Sequence, residues 1–249
     1  MPYTLMVQKI TVKFSKPALR FGLIVPSSNT NMETELCKMM PADIFLHSDR
    51  MRMRKVNAKE LISMDREAER AAVYLSDAKV NVIAYGCTIA VTSRKPGYHR
   101  TVRKKLELVA KTPVVVSAEA VLDAMSHMGM KRIAVATPYT KRITEMEMDY
   151  FRKSGFDITD YKYLSVEDNV AVGRIRAGTV LDLVKSLDVE NADGILISCA
   201  ELPSVDTIKM LEDESGLPVI STNTATMWAM IRRLNLPIKI GGYGRLLEE

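Results

Sequence analysis

Two cysteines carry the most informative chemistry in this sequence, because each directly follows a short apolar run and is flanked by small residues. Asn81-Val-Ile-Ala-Tyr85 leads into Gly86-Cys87-Thr88, and Gly194-Ile-Leu-Ile197 leads into Ser198-Cys199-Ala200. A lone cysteine at the end of a buried strand is ordinarily a small core hydrophobe. The symmetric placement of these two favours another reading. Two thiols facing each other across a small substrate serve as nucleophile or base on one side and acid on the other, provided backbone N–H groups hold one as thiolate. Cys37 has no counterpart, lies on an expected helix and is assigned to packing.

The second polar cluster is Pro26-Ser27-Ser28-Asn29-Thr30, with Glu33 and Glu35 soon after. Hydroxyl and amide side chains at such a turn commonly satisfy the free N–H groups of a helix start. The same donors, at the positive end of a helix dipole, also make a carboxylate pocket. Thr137-Pro138-Tyr139-Thr140 is a comparable run of donors later in the chain.

Several chemistries have no support. There is no GxGxxG, no GxxxxGK[ST] and no GxSxG elbow, which argues against nucleotide binding and serine hydrolysis. His47, His99 and His127 have no obvious acidic or cysteine partner in sequence, and no CxxC or HxxxH pair suggests a metal clip, so no metal is expected. Three dispersed cysteines fit a reducing cytoplasm better than a disulfide framework. The 249 residues, 47% hydrophobic and 26% charged, describe an ordinary globular chain without an apolar stretch long enough to span a membrane. The net charge of +5 is the difference between 35 basic and 30 acidic residues, so it licenses no nucleic-acid partner. The basic runs Arg50 to Lys55 and Arg100 to Lys105 read as a solvated helix or strand edge.

The elements that must position these groups alternate between β-branched runs and amphipathic stretches, which predicts an α/β fold with mostly parallel sheets. Strands are expected at Arg20 to Val25, Ile44 to His47, Asn81 to Tyr85, Thr112 to Ser117, Arg132 to Ala136, Ile158 to Leu164, Gly194 to Ile197 and Leu217 to Ile220. Helices are expected from a capping box at Asn57 and Glu60, up to Lys153, from about Val170 to Leu187, and around Met227, Trp228 and Ile231. The cysteines and the two Pro-Val runs recur at a separation of roughly 110 positions, the mark of an internal duplication. Two similar halves, 20–118 and 119–223, are expected about a pseudo-twofold axis, with part of helix 224–235 set against the first. That symmetry brings the carboxyl ends of equivalent strands together across a cleft, where open α/β sheets bind ligands.

Taken in order, Gly22 to Glu35, His47 to Arg54, Ala136 to Tyr139, Asp168-Asn169 with Val172-Gly173, and Cys199 to Ser204 resemble the maleate cis-trans isomerases of the aspartate/glutamate racemase superfamily, whose relatives include arylmalonate decarboxylases. The resemblance runs from about Arg20 to Leu247. It implies Cys87 as nucleophile and Cys199 as general acid or base, with no metal or organic cofactor. Asn29, Tyr139 and Asn169 match side chains that hold the substrate's carboxylates, and Ser27, Ser28, Thr88 and Ala200 are expected beside them. It further implies a small dicarboxylate substrate and a homodimer or higher homo-oligomer. Thr88, Glu201 and Asn223 add a hydroxyl, an acid and an amide near the expected pocket, which leaves open a substrate with an extra amine or hydroxyl. A two-cysteine racemase, a decarboxylase of another small carboxylate and a non-catalytic carboxylate-binding module are the alternatives.

Overall fold

The computed structural model describes residues 19–53 and 58–249. The first half runs β1 (Leu19–Pro26), α1 (Met32–Met39), β2 (Ile44–Met51), α2 (Ala58–Asp77), β3 (Val82–Tyr85), α3 (Ile89–Thr92), α4 (Tyr98–Ala110), β4 (Val114–Val116) and α5 (Ser117–His127). The second runs β5 (Arg132–Thr137), α6 (Lys141–Lys153), β6 (Asp157–Tyr163), α7 (Asn169–Gly173), α8 (Ala177–Lys185), β7 (Gly194–Ile197), α9 (Val205–Ser215), β8 (Val219–Ser221), α10 (Thr222–Arg233) and α11 (Arg245–Glu248).

Each half forms a four-stranded sheet, ordered β2-β1-β3-β4 and β6-β5-β7-β8, and every pairing is parallel. The repeated order makes β1 equivalent to β5 and β3 to β7. The central strands read as apolar runs because helices cover both faces of a parallel sheet; β3 and β7 are buried along their whole length, as are the short edge strands β4 and β8. In this order the chain leaves β1 and β3 in opposite directions, opening a crevice beyond their carboxyl ends, and β5 and β7 do the same.

Helices α5 and α10 each cross to the other half. Helix α10 packs on α5, α1, β3 and β4 as well as on β8, while α5 touches β8. Where α5 and α10 meet, the Thr226 hydroxyl donates to Ser117 Oγ at 2.8 Å.

Three expectations need adjustment. The helix expected from about Val170 to Leu187 is two, α7 and α8, broken after Gly173. Cys37 does not pack in the core but is exposed on α1. The capping residue Asn57 falls outside the described residues, as do Arg54 and Lys55 of one basic run. The rest of the basic sequence lies at the end of edge strand β2 and on α4.

Candidate active site

Both cysteines stand two residues beyond a central strand, Cys87 after β3 and Cys199 after β7. They line one small cavity of about 50 Å³, together with Asn29, Thr88, Tyr139, Asn169, Ala200 and Glu201. Cys87 sits at the start of α3, where the N–H groups of Ile89 and Ala90 hydrogen-bond its sulfur. Burial outweighs them and pushes the thiol up to about 12. Cys199 is likewise pushed up to about 12 by burial, against the Tyr139 hydroxyl and the N–H groups of Glu201 and Leu202. The Glu201 N–H lies 3.3 Å from Cys199 Sγ. Both sulfurs therefore rest as thiols, each with donors placed to receive a negative charge.

The loops after β1, β5 and β6 supply the polar wall. Asn29 is 2% exposed, and its side-chain carbonyl accepts from Met32 N at 3.0 Å and Asn31 N at 3.3 Å. That commitment to the start of α1 leaves the amide nitrogen as the end able to donate into the cavity. The Asn169 amide donates to Ser28 Oγ at 3.1 Å, joining the loops of the two halves. Burial holds the Tyr139 hydroxyl well above its ordinary value, so it remains a donor, 3.5 Å from Thr88 Oγ1.

Ser27 is not on the cavity wall. Its Oγ donates to Met53 O and accepts from Met53 N at 3.1 Å, which fixes the β1 loop against the chain beyond β2. Ser28 acts through Asn169 rather than lining the cavity itself. Sequence reasoning also missed Arg50, whose Nη1 donates to Asn29 O at 2.6 Å and braces the same loop from β2. The larger cleft between α4, α5 and α6, about 820 Å³, contains neither Cys87 nor Cys199.

A family model described as arylmalonate decarboxylase matches residues 21–247. The chain belongs to this family. Within it, the chain is 40% identical to a maleate isomerase of Geobacillus stearothermophilus, over 92% of this chain and 97% of the relative. Among solved structures, the maleate isomerase Iso(C200A) of Pseudomonas putida S16 with maleate superposes with a TM-score of 0.89 at 38% identity, covering 93% of this chain and 98% of that one. A Nocardia farcinica maleate cis-trans isomerase, a cysteine-to-serine mutant with a covalently bound succinylcysteine intermediate, gives 0.88 at 34% identity, covering 93% and 98%.

Two thiols lining one cavity, with amide and hydroxyl donors between them, are the groups that addition to carbon, movement of a proton and acceptance of carboxylate charge require. Among the described residues no group of three or more His, Cys, Asp and Glu is placed to hold a metal ion, and no helix is long and apolar enough to cross a membrane. Two residues that had suggested a more polar substrate are otherwise engaged. Asn223 is off the cavity wall and bonds Glu35 and Ala200 O. Both carboxylate oxygens of Glu201 accept from Thr30 and Asn31.

Proposed function

We propose that this protein is a cysteine-dependent isomerase that converts maleate, or a similarly small cis-dicarboxylate, to its trans isomer through a covalent adduct on Cys87. The observation that carries the reading is the pair of cysteines at equivalent strand ends, sharing one small donor-lined cavity. Cys87 first gives its proton to solvent, its sulfur taking the charge against the N–H groups of Ile89 and Ala90; the thiolate adds to one alkene carbon, and the π pair moves onto the adjoining carboxylate as an enediolate. The former double bond is now single and rotates. When the pair returns, the C–S bond breaks and the trans product leaves with the thiolate regenerated. Cys199, as a thiol, lends its proton to the carbanion, giving a succinyl adduct, and takes a proton back before elimination.

Asn29, Asn169 and Tyr139 hold the carboxylates, and Thr88 extends the donor set. A donor aimed at the developing oxyanion contributes roughly 3 to 4 kcal/mol. A donor-lined cavity of only about 50 Å³ suits a four-carbon diacid better than an aryl acid. The same reading includes a homodimer or higher homo-oligomer in a reducing compartment, in keeping with three unpaired cysteines.

Proton NMR of purified protein with maleate tests the proposal. The expected outcome is fumarate without added metal or nucleotide. In a Cys199→Ser variant water protonates the carbanion and no thiolate takes the proton back, so mass spectrometry after exposure to maleate should show Cys87 heavier by one maleic acid. Inert maleate together with solvent exchange at the α-carbon of a chiral acid would move the protein to the racemase reading.

A further inference from the structure

The halves exchange carboxylates across the cleft, each capping a helix of the other. Glu201, between β7 and α9, accepts from Thr30 N at 2.7 Å, Thr30 Oγ1 at 2.5 Å and Asn31 N at 3.2 Å, at the start of α1. Glu35, on α1, accepts from Ser204 N at 2.5 Å and Val205 N at 3.1 Å, at the start of α9. Its second oxygen takes the Asn223 amide at 2.7 Å and, more weakly, the Ser204 hydroxyl at 3.5 Å. The first N–H groups of a helix have no partner within it, and a carboxylate there satisfies both hydrogen bonding and the helix dipole. Glu201 and Glu35 are 1% and 3% exposed, so their partners are protein rather than water. Burial raises both carboxyls, and the capping bonds pull them back toward the charged form.

This exchange ends on the cavity. The residue whose side chain is anchored to α1 is the same one whose N–H points at Cys199 Sγ. Asn223, held by Glu35, donates its remaining amide hydrogen to Ala200 O at 3.2 Å. The turn from Cys199 to Glu201 is thus fixed through its middle carbonyl and through its last side chain. We infer that Glu201 and Glu35 are positioning residues that hold the Glu201 N–H on Cys199 and thereby set how readily that sulfur carries negative charge.

The other groups facing this sulfur are the Tyr139 hydroxyl, the Leu202 N–H and, from α6, Glu147. Arg50 lies in the field of Glu201. A purely electrostatic role and a positioning role make opposite demands. Removing a negative charge near a thiol makes its thiolate easier to form, whereas releasing the N–H makes it harder.

The inference rests on Cys199 being a reacting thiol, but its test needs no substrate, so the isomerase reading can fail separately. In a Cys37→Ser background, alkylation by iodoacetamide at one mildly alkaline pH is followed at Cys199 and Cys87 by mass spectrometry. Glu201→Ala should slow Cys199 about tenfold, the scale of one hydrogen bond to a charged group, with Cys87 unchanged as internal control. A merely loosened turn would speed it by exposing the sulfur. Glu201→Gln should restore the rate to within about twofold, since its carbonyl accepts from Thr30 N and its amide reaches Thr30 Oγ1. An unchanged or faster Cys199 in folded Glu201→Ala overturns the inference. Should that variant not fold, Asn223→Ala, which frees the Ala200 side of the turn and takes one donor from Glu35, should slow Cys199 about threefold, and an unchanged rate overturns it equally.

Discussion

Burial sets the resting state of both thiols, and it does so for the same reason on each side of the cavity. A sulfur pushed up to about 12 carries almost no charge near neutrality, so the proposed reaction depends on the donors that receive charge once it forms. Cys87 has the N–H groups at the start of α3, and Cys199 has Tyr139 and the Glu201 N–H. A serine in either place keeps the donors but loses the polarisable nucleophile or proton carrier. Cys87→Ser and Cys199→Ser should each lower turnover at least about a hundredfold. Cys37→Ser, on the exposed face of α1, should leave it unchanged. Near-normal turnover in either of the first two would remove the two-thiol mechanism.

At the scale of elements, the helix expected as one piece and found as two shows what local pattern does not reveal. Apolar spacing from Val170 onward is helical, but a Cβ at Gly173 would overlap Glu201 Oε1 and Thr30 Oγ1, so the chain can pass there only as glycine. The signal was in the sequence as a glycine; its cause, a carboxylate from another loop, was not. Gly173→Ala gives a prediction whose sign discriminates. Alanine is the better helix former by roughly 1 kcal/mol, so without the clash the variant would be more stable. With the clash, the added methyl displaces an oxygen pinned by Thr30, and both thermal stability and turnover should fall, the latter about tenfold. A raised melting temperature would show that α7 tolerates the methyl and that the exchange of caps is looser than described.

At the scale of the whole molecule, the duplication was legible because strand ends, cysteines and Pro-Val runs repeat at nearly one interval, and a repeated strand order sends them to one crevice. Contacts between residues about 170 positions apart, such as Glu35 with Ser204 and Glu201 with Thr30, leave no periodic trace. Neither does Glu147. This α6 carboxyl is 0% exposed; Oε1 accepts the Ser198 hydroxyl at 2.9 Å, and Oε2 has no hydrogen-bond partner. Burial lifts it from an ordinary 4.5 to about 7, so the folded protein keeps a proton there that the unfolded chain releases. The folded state then binds more protons between those two values, and stability falls as pH rises through that window. Below about 4.5 both states hold the proton and the penalty is absent; above about 7 it is complete, on the order of 3 kcal/mol. Other buried carboxyls, Glu35 and Glu212 among them, lean the same way, so the comparison must be made against a variant that removes this group alone. Glu147→Gln keeps the shape and cannot ionise. Urea unfolding of both proteins near pH 4.5 and near pH 8 should show the variant gaining on the parent as pH rises, by that order of magnitude. Parallel stability curves would mean that Glu147 ionises as easily inside the fold as outside it.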